Sequence, residues 1–216
     1  MDDEIDLSLV RPLVRAWLAE DVGRGDLTTR AVIPPTAHAA ARLEAREAFT
    51  LAGLGVAALC FELAGDEPPD WDAKLEDGQA VRAGDVVARV EGNLRQILTA
   101  ERTALNVLAR LSGIASVTAR FAAAVAGTGA RVVDTRKTTP GLRVLEKYAV
   151  RVGGGANHRF GLDDGILIKD NHIAAAGGIA PAVRSVRKGT HHGLRVEVEV
   201  EDLDGLAEAL ASGADA

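Results

Sequence analysis

Apolar positions along the chain follow different rhythms in its two halves. Over residues 7–20, Leu9, Leu13, Val14, Trp17 and Leu18 recur at helical spacing, which predicts an amphipathic helix with Pro12 in its first turns. EDVGRGDLTT then ends that helix, its two glycines and Asp26, Thr28 and Thr29 reading as a loop of turn and cap formers. Residues 37–48 alternate weakly and predict a strand. Residues 51–65 form an apolar run that predicts a short buried helix, with Gly53 and Gly55 weakening its start. In residues 75–92, Asp-Gly and Ala-Gly-Asp turns separate short valine runs, a pattern that predicts hairpins. Helical spacing returns over residues 94–126 through Ile97, Leu98, Leu105, Leu108 and Leu111, with an interruption expected at Ser112 and Gly113.

From residue 130 the pattern changes. RVVDTRK, GILIKDNH (165–172) and LRVEVEV (194–200) are short β-branched runs that end in polar residues, each followed by a glycine-containing or helical segment. The last leads into a capped helix with Leu203, Leu206 and Leu210 on one side. Parallel strands joined by helical crossovers explain this repetition best. The change of pattern places a domain boundary near residue 110, dividing the chain into 1–110 and 111–216.

Composition narrows the class. With 47% hydrophobic and 26% charged residues over 216 positions, the chain has the profile of a globular protein with a real core. A net charge of -6 argues against a sequence-blind nucleic-acid binder. A single cysteine, Cys60, excludes an internal disulfide framework, and its apolar neighbours Leu59 and Phe61 read it as a buried small hydrophobe. No stretch reads as the roughly 20 apolar residues of a membrane span, and the acidic start is unlike a signal peptide. A cytoplasmic protein is the expectation.

Candidate chemistry gathers where the strands end. The carboxyl ends of parallel strands form the active face of α/β folds. Arg136 and Lys137 follow the first run, Lys169 and Asp170 the second, and Glu199 lies near the end of the third. His158 and Arg159 precede the second run, after Gly153–Gly155, a triple glycine that serves either close approach to a ligand or tight packing. Arginine holds carboxylates and phosphates bidentately, so this cluster asks for a multiply anionic substrate. Glu199 suits a sugar hydroxyl, a metal through water, a developing cation or a salt bridge. His191 and His192 bring no evident third ligand for a metal. Neither a Walker loop nor a dinucleotide fingerprint occurs.

Five stretches together resemble the nicotinate-nucleotide pyrophosphorylase (carboxylating), or quinolinate phosphoribosyltransferase, family. They are EDVGRGDLTT, ERTALNVLARLSGIAS, DTRKTTPGLRVLEKYAV, GGGANHRFGLDDGILIKDNH and VEVEVEDLDGL. The resemblance implies an N-terminal α/β sandwich followed by an open α/β (TIM-like) barrel, here incomplete at the C-terminus. It implies transfer of phosphoribose from 5-phosphoribosyl 1-diphosphate to quinolinate, giving nicotinate mononucleotide, pyrophosphate and CO2 in NAD biosynthesis. Mg2+ would accompany the diphosphate substrate, with no organic cofactor. The active site would be shared across a homodimer, or an assembly of such dimers. Carried over by motif, Arg102 would reach the neighbouring subunit's quinolinate, and Arg136, His158 and Arg159 would hold its carboxylates. Lys137 and Lys169 would stand around the substrates and the diphosphate, and Glu199 would engage the ribose and metal region.

Family members continue beyond the equivalent of Ala216, through a further acidic strand-end motif and a glycine-rich phosphate loop. A polypeptide ending at Ala216 is therefore expected to have little transferase activity. Two other readings fit parts of the pattern. One is a nicotinate phosphoribosyltransferase or a molybdenum-transport-associated homologue of the same fold. The other is a truncated paralogue that dimerises without catalysis.

Overall fold

The computed structural model describes residues 5–216; the acidic start, residues 1–4, lies outside the described residues. The chain forms two compact units, divided between Asn157 and His158.

The first unit opens with α1 (Leu7–Val22), capped by the Asp6 carboxylate, which accepts from the Ser8 N–H at 2.9 Å. Pro12 lies inside α1 and leaves it one backbone hydrogen bond short. The helix closes at Gly23. The GRGD segment that follows is a link to a second helix: Asp26 accepts from Thr29 N–H at 2.9 Å and starts α2 (Leu27–Val32). Then come β1 (His38–Glu44), β2 (Phe49–Thr50), α3 (Leu54–Leu63), β3 (Asp70–Ala73), β4 (Ala80–Val81), β5 (Val86–Asn93), α4 (Leu94–Ala124) and α5 (Arg143–Val152). β1, β5 and β3 form an antiparallel sheet in that order, and β2 pairs with β4 in a second.

Two expectations fail here. The valine runs of residues 75–92 do not form a hairpin with each other. The turn at Arg82–Asp85 is tight, with Asp85 N–H donating to Arg82 C=O at 3.1 Å, but β4 pairs with β2 while β5 pairs with β1 and β3. Nor is the long helix interrupted: α4 runs 31 residues without a break. Ser112 and Ser116 lie one turn apart and serve as docking points, their hydroxyls accepting from Ala52 N–H at 3.1 Å and Thr50 N–H at 2.8 Å. Each hydroxyl satisfies a backbone group that the end of β2 and its following turn would otherwise leave unpaired.

Ile97, Ala100, Ala104, Leu108, Leu111 and Ala115 form the buried stripe of α4. Their three- and four-residue spacing keeps one face on α3, whose own Leu54, Val56, Ala57, Leu59, Cys60 and Phe61 are all buried. Gly53 starts α3 at φ +104°, a conformation that L side chains rarely adopt, and an added Cβ there would sit 2.8 Å from Leu111. By length and composition α4 is apolar enough to cross a bilayer, contrary to the sequence expectation. Its stripe is nonetheless committed to the core, and Glu101, Arg102, Arg110 and Arg120 interrupt its other faces.

The second unit holds β6 (Ile166–Ile168), α6 (Asp170–Ala176), α7 (Ile179–Gly189), β7 (Val196–Val198) and α8 (Leu203–Ala211). β6 and β7 pair in parallel, Ile166 opposite Val196 and Ile168 opposite Val198. A core of Ile168, Ile179, Ala182, Val183, Val196, Val198 and Ala209 joins them to the helices. Residues 215 and 216 run beside β7: Asp215 N–H donates to Val196 C=O at 2.8 Å, and Val198 N–H to Ala216 C=O at 3.0 Å. The first expected strand, RVV, is reduced to a single parallel bridge between Val133 and Ala156 in the first unit.

Candidate active site

In the first unit the candidate cations lie on the segment that follows Val133. Asp134 begins it, and its carboxylate accepts from Lys147 Nζ at 2.5 Å and from Asn157 Nδ2 at 2.6 Å. Further along, Thr138 Oγ1 accepts from Arg143 Nε at 3.0 Å. Thr139 N–H donates to Glu146 Oε2 at 3.1 Å, and Thr139 Oγ1 accepts from Arg110 Nη2 at 2.5 Å. Arg110 also closes on Glu146 through Nε at 3.0 Å. Burial alone would raise the Glu146 carboxyl, but the hydrogen bonds from Arg110 and Thr139 outweigh it and hold the group below its ordinary value.

Between these anchors stand Arg136 and Lys137. Arg136 is half-buried, and its Nε is fully covered with no hydrogen-bond partner among the described residues. A buried guanidinium donor without an acceptor is rare and suits an incoming anion. Lys137 is exposed, and its backbone N–H is fixed by Thr135 Oγ1 at 3.0 Å. Arg102 stands apart, eight residues before Arg110 on α4 and so about 12 Å along that axis. Its side chain is 68% exposed, with Glu101 as an ion-pair partner at 3.9 Å. It borders a groove of about 670 Å³ between α4 and residues 43–49, with Phe49, Leu105 and Ser116 in its walls.

In the second unit, parallel pairing brings two candidates together. Lys169 follows β6 and Glu199 follows β7; because Ile168 pairs with Val198, the next residues are neighbours. Glu199 N–H donates to Ile168 C=O at 2.9 Å, and Lys169 Nζ lies 3.0 Å from Glu199 Oε2. Lys169 also starts α6, its N–H donating to His172 Nδ1 at 3.0 Å. His158 Nε2 lies 2.7 Å from Glu197 Oε2, and Arg159 Nη1 donates to Gly165 C=O at 3.0 Å. Glu197 was not singled out in the sequence, although the period-2 pattern of VEVEV puts it on the Glu199 face, opposite buried Val196 and Val198. The sequence also gave no role to Asp134, Lys147 or Asn157, whose partners are far from adjacent in the chain.

Other candidates resolve simply. An added Cβ at Gly153 would lie 2.4 Å from Ala115 C=O, and at Gly155 2.8 Å from Thr118, so these glycines let residues 153–155 lie against α4. This decides for tight packing. Burial pushes the Cys60 thiol up to about 12, away from any nucleophilic role. His191 and His192 are exposed, and no metal-binding group of three or more His, Cys, Asp or Glu occurs among the described residues.

A parallel strand pair packed with helices, with Lys169 and Glu199 meeting where the strands end, places the second unit in the α/β class. Comparison with known proteins gives the family. Residues 26–112 match the model of the quinolinate phosphoribosyl transferase N-terminal domain, and residues 114–216 that of the C-terminal domain. The probable nicotinate-nucleotide pyrophosphorylase [carboxylating] of Synechocystis sp. is 48% identical over 204 residues, covering 94% of this chain and 68% of that protein. The nicotinate-nucleotide pyrophosphorylase [carboxylating] of Mycobacterium leprae is 44% identical over 213 residues, covering 98% and 75%. The crystal structure of NadC from Streptococcus pyogenes superposes with a TM-score of 0.94 at 44% identity, over 98% of this chain and 75% of that one. The chain belongs to the quinolinate phosphoribosyltransferase family.

Proposed function

We propose that this protein is a nicotinate-nucleotide pyrophosphorylase (carboxylating), joining quinolinate to the phosphoribosyl group of 5-phosphoribosyl 1-diphosphate in NAD biosynthesis. The products are nicotinate mononucleotide, pyrophosphate and CO2. Family membership supports the reaction, and the covered, unpartnered Nε of Arg136 is the observation that best supports an anionic substrate at these residues.

In this reading Arg136, His158 and Arg159 hold the two carboxylates of quinolinate, with Arg102 contributed by a second copy of the chain. Lys137 and Lys169 face the phosphoribosyl donor. As pyrophosphate leaves, its negative charge grows and positive character develops at the ribose C1. Fixed ammonium groups stabilise the first, and the Glu199 carboxylate the second. The pocket aligns the pyridine nitrogen for attack, so no side-chain nucleophile is needed. Once the glycosidic bond forms, the cationic ring accepts the electrons released as the 2-carboxylate departs. Mg2+ suits this site as a companion of the diphosphate, because it binds through one or two carboxylates plus substrate phosphates, and Glu199 is 61% exposed at its strand end. When bound, it supplies charge neutralisation on the diphosphate. The exposed Arg102 beside an open groove supports a shared-site homodimer, and a cytoplasmic location completes the reading.

The test is an assay of the native-length protein with quinolinate or nicotinate, the diphosphate donor and Mg2+, following pyrophosphate and CO2. Turnover of quinolinate with CO2 release is expected; turnover of nicotinate alone would move the chain to the other reading. Mixing Arg102→Ala with Lys137→Ala chains, each inactive alone, should restore activity at one site of each mixed dimer. No recovery despite proven subunit exchange would count against sharing.

A further inference from the structure

Two backbone segments carry the expected cations, one leading to Arg136 and Lys137 and the other to His158 and Arg159. Neither is held by an extended strand ladder. Where they run side by side, at Val133 and Ala156, the bonds are few: Ala156 N–H donates to Val132 C=O at 2.8 Å, and Asp134 N–H to Ala156 C=O at 3.1 Å. One step beyond the bridge on each segment stand Asp134 and Asn157. Lys147, rising from α5 beneath them, is only 1% exposed, and the Asp134 side chain only 8%. Lys147 Nζ bonds Asp134 Oδ1, Asn157 Nδ2 bonds Asp134 Oδ2, and the same amide donates to the Lys147 carbonyl at 2.9 Å. Arg151 Nη1 then donates to Asn157 Oδ1 at 2.7 Å, which fixes the orientation of that amide.

We infer that Lys147, Asp134 and Asn157 form a positioning triad that sets the register between the two anion-binding segments, so that both start from one fixed point. The inference rests on the reading above for the identity of the anion. It explains why a charge pair sits where an apolar pair would serve stability equally well. Burying a lysine and an aspartate costs desolvation that their attraction roughly offsets, so what such a pair adds is a single geometry. A slip of one residue at the bridge would leave Asp134 facing neither Nζ nor the Asn157 amide. It would also move the backbone leading to Arg136 by the length of a residue, far more than substrate positioning tolerates.

The test compares Lys147→Met with the double variant Lys147→Met/Asp134→Asn. The single variant takes the ammonium partner from a buried carboxylate and should lose stability. The double variant strands no charge and should melt within about 2–4 °C of wild type. It still lacks the bond that sets the register, so kcat/KM for quinolinate should stay down by roughly 10- to 100-fold, chiefly through KM. Amide exchange at Asp134 and Ala156 should accelerate while α1 is unchanged. A double variant that regains both melting temperature and KM overturns the inference. If it does not fold, Asn157→Ala is read in its place: raised KM at near-native melting temperature supports the triad, and unchanged KM overturns it. A wild type that does not use quinolinate sinks the functional reading, and exchange then decides alone. Unaltered protection at Asp134 and Ala156 in the variant would end the inference.

Discussion

Two lysine–carboxylate pairs in this molecule have the same chemistry and opposite surroundings. Lys147 and Asp134 are closed off from solvent, at 1% and 8% exposure, and a third side chain, Asn157, also donates to the Asp134 carboxylate. Lys169 and Glu199 meet at 3.0 Å with 44% and 61% exposure, at the open ends of β6 and β7. In the first setting the charges are fixed, and removing either takes a buried ion-pair partner from the other. In the second, water screens the attraction and each group remains available to a substrate. On the proposed reading the contrast separates two uses of a charge: one determines backbone geometry, the other does chemistry.

The largest effect should come from breaking the closed pair. Lys147→Met should lower unfolding free energy by about 3–5 kcal/mol, measured by chemical denaturation, because the buried Asp134 carboxylate loses its ammonium partner. A loss below ~1 kcal/mol would put the pair in the same class as an exposed one. Lys169→Met provides the other half of the comparison. Stability should change by less than ~1 kcal/mol, while kcat should fall by about 100- to 1,000-fold if the ammonium stabilises developing charge. A stable variant with near-native kcat would remove Lys169 from the chemistry.

The same contrast explains what could be read from the sequence. Lys169 and Glu199 were legible because a strand ending in a polar residue is a local pattern, and parallel pairing then places such ends together. The helical stripes of α1 and α4 were legible for a similar reason, since each is a period within one element. The closed triad was not. Lys147 sits mid-helix, Asp134 after a bridge and Asn157 beside His158, and only the fold brings them within bonding distance. Ser112 illustrates the same limit. A serine and a glycine in a long helix suggest a break, but the hydroxyl is occupied with Ala52, sixty residues earlier in the chain. The turn at residues 82–85 has a hairpin's local chemistry, and its strands were nonetheless claimed by different partners.

The smallest effect sharpens the comparison at a pair intermediate between the two. Glu146 is 11% exposed and Arg110 48%, and together they hold Thr139 at the far end of the cation-bearing loop. Burial opposes the Glu146 charge, but the Arg110 and Thr139 hydrogen bonds prevail and the carboxyl titrates below its ordinary value. A carboxyl whose folded value is depressed gives stability that is fully present above its unfolded value. That stability is lost as pH falls through the folded one. Glu146→Gln should therefore lower the melting temperature by roughly 2–4 °C at pH 7 and by progressively less as pH falls through the depressed folded value, where wild type itself loses the charge. Thermal melts of both proteins from pH 7 to pH 3 give the two curves. Convergence at acid pH would place the Arg110–Glu146 pair with the closed one, as a charge held for structure. Parallel curves would mean that Thr139 is held by the neutral hydrogen bond alone, since the glutamine can still accept from its N–H.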